Sequence, residues 1–171
     1  TSGGTACYEA FIENLMPNGI VEFIKTYPVA GRLMSVLTHE AVEFATELLT
    51  RLERDWDTVV DRLVDECGPA VTGLRLGLGD SHAGGRTVAA IEIGPETIYY
   101  KPRDVRPERL YREVSRLLFG PEDAAPRTIV KDGYGWVEGI SQKTLDRGAV
   151  TEYYRRVGSL LATLYVLNGS D

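Results

Sequence analysis

Residues 71–101 read VTGLRLGLGDSHAGGRTVAAIEIGPETIYYK, and the fold turns on this stretch. Thr72 to Leu78 is a strand candidate, weakened by Gly73 and Gly77. Gly79-Asp80-Ser81-His82-Ala83-Gly84-Gly85 is rich in turn residues, so a loop is expected there. Arg86 to Ile93 is a β-rich run, Gly94-Pro95-Glu96 turns the chain, and Thr97 to Lys101 is a third short strand closed by Pro102. Side chains alternate along a strand, so Thr97, Tyr99 and Lys101 share one face, and Ile98 and Tyr100 the other.

Working outward, Asp104 to Phe119 predicts a helix with Asp104 as cap, Pro107 in the first turn, and Leu110, Val114, Leu117 and Leu118 as its apolar stripe. Arg127 to Lys131 and Tyr134 to Ile140 flank Asp132-Gly133, a strong hairpin signal. Ala149 to Asn168 predicts a helix with Val150, Tyr153, Tyr154, Val157, Leu160, Leu161 and Leu164 inward and Gly169 as C′ residue. Upstream, Tyr8 to Met16 and Ile20 to Tyr27 are short helical stretches broken at Pro17-Asn18-Gly19, with Pro28 ending or redirecting the second. Thr38 to Cys67 predicts a long helix capped by Thr38. Its inward line is Val42, Ala45, Leu49, Leu52, Trp56, Val59 and Leu63, with Glu47, Arg51 and Asp55 paired on the outer face. The fold class expected is α+β. Residues 1–70 form a helical scaffold, 71–140 a small lobe built on an antiparallel sheet plus a helix, and 141–171 the first helix of a larger lobe. Strand, glycine-rich loop, strand, turn, strand, helix, hairpin, helix is the chain order of a protein- or lipid-kinase small lobe followed by the first helix of the large lobe.

Composition narrows the function classes. Hydrophobic residues make up 43% and charged residues 26%, which is globular rather than disordered. The net charge of -6, without a Lys/Arg run, argues against a nucleic-acid binder. No apolar run approaches the roughly 20 residues that span a bilayer. Thr1 to Tyr8 lacks the features of a signal peptide, and Cys7 and Cys67 show no disulfide or zinc spacing, so a cytoplasmic protein with no structural metal is expected. The chain starts without Met and stops at Asp171, which suggests a fragment.

The chemistry sits in the same central stretch. Glycines over the phosphates and a lysine on the third strand are what a nucleotide lobe needs, and Gly79, Gly84, Gly85 and Lys101 meet that need. Glu113, on the following helix, is the expected partner of Lys101. GDSHAGG is neither GxGxxG nor a Walker A loop. It sets Asp80 and His82 where phosphates would lie. An acid there repels ATP, whereas an imidazole can exchange a proton near neutral pH. Taken by themselves, these residues also fit a capped turn with an exposed histidine.

Gly79-Asp80-Ser81-His82 with Gly84-Gly85-Arg86, Tyr100-Lys101-Pro102-Arg103, and Tyr134-Gly135-Trp136-Val137-Glu138 occur in the order of class II lanthipeptide synthetase dehydratase motifs. Tyr153-Tyr154-Arg155-Arg156-Val157-Gly158 and Leu164 to Asp171 look like that family's next block, and Tyr27 to Arg32 and Arg51 to Asp55 resemble its helical region. The chain thus resembles that family over nearly its whole length. The resemblance implies a lipid-kinase-like fold. It also implies a two-step reaction: ATP with Mg2+ phosphorylates Ser and Thr of a leader-bearing ribosomal precursor peptide, and phosphate is then eliminated to give dehydroalanine and dehydrobutyrine. A fused zinc-bearing cyclase and the rest of the large lobe would be its partners.

By matching positions, the resemblance gives Lys101 and Arg103 to the nucleotide, Asp80 and His82 to the family's unusual glycine-rich loop with His82 a candidate for the elimination step, and Asp171, as the opening of the catalytic loop, to the proton of the attacking hydroxyl. The isolated chain is then expected to be inactive. The alternative is a non-catalytic kinase-like module that binds peptide or nucleotide, and a third reading is an ordinary kinase. Two departures stand out: Ala83 in place of a polar residue, and Gly139 in place of a bulky one, which would open the wall near the nucleotide.

Overall fold

The computed structural model describes residues 2–65, 70–82, 84–120, 125–140 and 147–169. The chain divides into two compact units, Thr1–Glu47 and Leu48–Asp171.

In the first unit, α1 (Ser2–Asn14) is followed by a short irregular helical segment, Leu15–Gly19, and then by α2 (Ile20–Thr26). Met16 leaves helical geometry at φ -107° and ψ 130°. It precedes Pro17, whose ring crowds the residue before it out of the α region. A long helix, α3 (Pro28–Leu63), follows at once. It starts ten residues before the expected start at Thr38, because Pro28 opens it rather than closing α2. Thr38 is therefore no cap, and its hydroxyl donates to the Met34 carbonyl inside the helix.

The second unit holds the end of α3 and a five-stranded antiparallel sheet in the order β1-β2-β3-β5-β4. The strands are β1 (Val71–His82), β2 (Arg86–Ile93), β3 (Glu96–Lys101), β4 (Thr128–Lys131) and β5 (Tyr134–Glu138). Helix α4 (Arg106–Phe119) joins β3 to β4, and α5 (Val150–Val166) ends the chain. The Asp132-Gly133 hairpin forms as expected, with Gly133 at φ 75°, where a Cβ would be strained. β1 differs from expectation. It continues through the glycine-rich segment to His82, pairing with β2 through several register irregularities, so the expected loop shrinks to the turn before Arg86.

The core lies between α3 and one face of the sheet. Ile91, Ile98, Tyr100 and Trp136 are fully buried there, with Leu48, Leu52, Val59 and Leu63 from the helix. Each such side chain contributes roughly 1.5–3 kcal/mol on leaving water. The buried line of the helix is offset from the expected one: Leu49 is exposed, while Asp55 is buried at 2% exposure.

The apolar stripes expected on α4 and α5 are also displaced. Leu110, Leu117, Leu118, Tyr154, Leu160 and Leu161 are exposed, whereas Ser115, Ser159 and Thr163 are buried. Tyr111 of α4 lies close to Thr163 of α5, and the Thr163 hydroxyl donates to the Ser159 carbonyl within its own helix. After α5 and its cap Leu167, the left-handed C′ residue is Asn168 at φ 50° rather than Gly169, whose amide donates to the Leu164 carbonyl. Among the described residues no helix is long and apolar enough to cross a membrane.

Candidate functional site

Lys101 closes β3 on the face away from α3, opposite Gly135 of β5. Its ammonium donates to Glu108 at 3.1 Å, and Arg103 holds the same carboxylate at 2.6 Å. Glu108 lies in the first turn of α4, where a carboxylate also suits the positive end of the helix. The cap position falls on Val105, which makes no side-chain cap bond, rather than on Asp104 as expected; Asp104, one residue earlier, accepts the Arg106 amide at 2.9 Å. Burial pushes the Glu108 carboxyl up, but the hydrogen bonds from Arg103 and Lys101 outweigh it and hold the group below its usual value. The expected partner, Glu113, instead faces Arg109 at 3.6 Å on the same helix. In sequence both carboxylates follow the lysine. Only the entry of the chain into α4 decides that the first-turn residue reaches it.

A cavity of about 690 Å³ adjoins this trio, with Tyr111, Thr128, Val137 and Leu164 on its walls. Gly79, Asp80, Gly84 and Gly85 are not among its lining residues; they sit in the β1–β2 hairpin. Gly79, Gly84 and Gly85 all take φ between 73° and 78°, which a side chain would resist, and Asp80 is exposed. The structure therefore brings Lys101, Arg103 and Glu108 together, while the hairpin residues do not line this cavity. The His82 side chain, Ala83 and Asp171 lie outside the described residues.

Gly139 has a local reason. Its amide donates to the Thr97 carbonyl at 2.8 Å, and a Cβ there would collide with that same oxygen. A smaller cavity, about 340 Å³, opens beside Gly139, Thr97 and Tyr99.

Behind the strands stands a polar cluster that sequence reasoning missed. Asp55 accepts from Tyr134 Oη at 2.7 Å and Trp136 Nε1 at 2.9 Å, and Lys131 Nζ lies 2.9 Å away. Arg54 donates to Tyr134, and the Arg51 guanidinium donates to Tyr100 and lies 4.1 Å from the centre of the Tyr134 ring. Burial raises the Asp55 carboxyl, yet Trp136, Lys131 and Tyr134 together lower it below its ordinary value.

At the far end of β5, Glu138 and Asp65 both grip Arg127, at 2.9 and 2.7 Å. The segment Tyr134 to Glu138 is thus a row of anchors: Tyr134 and Trp136 to Asp55, Gly135 beside Lys101, Glu138 to Arg127. The signal available in the sequence was an acid, Asp55, at a position in step with Leu48, Leu52 and Val59. The outward Arg51–Asp55 pairing expected there does not form the surface of the helix, because both residues turn to the sheet.

Comparison with known proteins bears on this arrangement. The chain is 22% identical over 143 residues to the lacticin 481/lactococcin biosynthesis protein LcnDR2 of Lactococcus lactis subsp. lactis. The match covers 76% of this chain and 15% of that protein, so the chain spans a small part of its relative's length. A family described as a domain of unknown function, DUF4135, matches residues 27–171. The family match begins just after α2 and takes in all of α3, the whole sheet, and the Lys101 trio. The chain therefore belongs to the DUF4135 family, and the likeness of its motifs to class II lanthipeptide synthetases stands.

Proposed function

We propose that this chain is the nucleotide-binding part of a lanthipeptide dehydratase with a kinase-like small lobe. The observation that carries the reading is the Lys101–Glu108 pair beside an open cavity. A lysine on the third strand, held by a carboxylate of the next helix, is how kinase sites set a cation against phosphates. The likeness to a lantibiotic biosynthesis protein supplies the substrate class, a precursor peptide.

In the proposed reaction a Ser or Thr hydroxyl oxygen attacks the γ-phosphorus of ATP, and ADP leaves. Lys101 and Arg103 offset charge on the phosphates, and Glu108 fixes their position. A base then takes the α-proton of the phosphorylated residue as phosphate departs from the β-carbon, leaving the dehydro amino acid. We assign the proton-handling role in elimination to His82, whose type titrates near neutral pH. Asp171 is assigned the hydroxyl proton in the first step, and Asp80 and the hairpin glycines the approach to the phosphates.

Lys101, Arg103 and the cavity fit a nucleotide's charge and size. Among the described residues no group of three or more His, Cys, Asp or Glu could hold a metal. Mg2+ would accompany the phosphates of ATP and screen their charge.

The test uses the full-length parent with its precursor peptide, read by mass spectrometry. Lys101→Ala is expected to leave the peptide unmodified, and His82→Ala to let phosphorylated peptide accumulate. Unchanged dehydration by Lys101→Ala would remove that residue from the site. A parent that binds nucleotide but modifies no peptide would instead make the chain a non-catalytic binding module.

A further inference from the structure

The side of α4 turned away from Lys101 carries its own charge pattern. Arg109, Arg112 and Arg116 stand at three- and four-residue steps and so share one face of the helix. With Arg62 from the last turn of α3 and Arg127 before β4, they line a cavity of about 310 Å³. One carboxylate, Glu113, is among the lining residues. The chain carries 25 acidic residues against 19 basic ones, and five of its fifteen arginines gather here. Like charges at helical spacing oppose folding, so such a gathering calls for an anion.

The protein answers only part of it. Arg127 is held by Asp65 and Glu138, and Arg109 faces Glu113. Among the described residues, Arg62, Arg112 and Arg116 are in no ion pair with a carboxylate. Arg112 is anchored to the Ala125 carbonyl, and burial followed by repulsion from Arg116 lowers its pKa. Leu63 and Ile129 provide an apolar floor.

We propose that this pocket binds an acidic peptide segment, its carboxylates on the arginines and an apolar side chain on the floor. Guanidinium forks match carboxylates in bidentate fashion. The apolar floor and the spread of the arginines over three elements suit several side chains rather than one small anion. The site is separate from the Lys101 cavity, which uses Pro107, Glu108 and Tyr111 on the other side of α4. It does not rest on the proposed reaction.

The experiment is fluorescence anisotropy on this chain with a short fluorescein-labelled peptide of alternating Glu and Leu, against the same peptide with Gln for Glu. The Glu peptide is expected to bind, and to weaken as salt rises. The triple variant Arg62→Gln/Arg109→Gln/Arg116→Gln removes exposed groups, and is expected to lose about tenfold or more in affinity. Its melting temperature should match that of the unaltered chain. Equal binding of the Gln peptide, or of the Glu peptide by the triple variant, would overturn the proposal. Displacement by equimolar inorganic phosphate would make it a free-phosphate site. Arginine-dependent binding to phosphatidylserine vesicles without peptide binding would make it a lipid surface. Either result overturns the peptide assignment.

Discussion

Tyr100 and Lys101 are neighbours in β3 with opposite surroundings. Tyr100 is fully buried under α3, packed at a tilt against Trp136 with ring centres 5.0 Å apart. Lys101 faces the open side, its side chain 24% exposed and held by one carboxylate. The two faces of one sheet therefore carry different loads. The α3 face holds the fold together with aromatic packing and a satisfied buried acid. The Lys101 face leaves charge accessible, where the proposed nucleotide site stands. The packed core and the proposed site are separated by a single residue of strand register, because successive side chains point to opposite faces.

The largest effect should come from breaking the packed face. Asp55→Ala would leave Lys131, Tyr134 and Trp136 without their common acceptor. The expected loss is about 3–5 kcal/mol, read by urea denaturation of the chain. The same group sets an acid limit. Its folded pKa lies below the unfolded value of 3.8, so its contribution is present above that value and is lost as pH falls through the lower folded one. Glu108 and Glu138 shift in the same direction from 4.5. Stability should thus fall below about pH 4, and less steeply in Asp55→Asn. A stability independent of pH over that range would contradict this role for the cluster.

Gly135→Ala tests the seam between the faces. A Cβ there would collide with the Val105 side chain and the Ile129 carbonyl oxygen, while Gly135 itself pairs with Lys101. A cost of about 1–3 kcal/mol is expected in the same denaturation, together with weaker binding of a fluorescent ATP analogue. Lost stability with unaltered nucleotide affinity would show the faces to be more independent than the pairing implies. The smallest change in stability is expected from Lys101→Ala, within about 0.5–1 kcal/mol of the unaltered chain, since it removes one partly exposed ion pair. Its effect should appear instead as at least tenfold weaker binding of the ATP analogue, which would sharpen the division. A large loss of stability with affinity intact would reverse it.

Legibility followed the same division between local and distant. The turn at Asp132-Gly133, the bounds of β2 and the lysine at the end of β3 were readable because period and turn chemistry act over a few neighbours. The glycine-rich segment was read as a loop because its composition is that of a turn. Pairing with β2 keeps it in the sheet as far as His82, with irregular register absorbing the glycines. Glu113 looked like a fitting partner for Lys101 because both carboxylates lie on α4. The geometry of the helix start selected Glu108.

What the sequence by itself determined is the order of helices and strands, the face on which Lys101 stands, and the family to which the motifs point. Each follows from side-chain period, turn residues or motif order along the chain. Only the tertiary structure decided that Asp55 lies in the core and that Ser115, Ser159 and Thr163 are the buried residues of α4 and α5 while most of the leucines stay exposed. The same holds for the five arginines gathered around one pocket. The physical reason is separation. Asp55 meets Trp136 across 81 positions of chain, and Arg51 meets Tyr100 across 49. A helix shows which of its faces is apolar, but which face is buried depends on the surface brought against it.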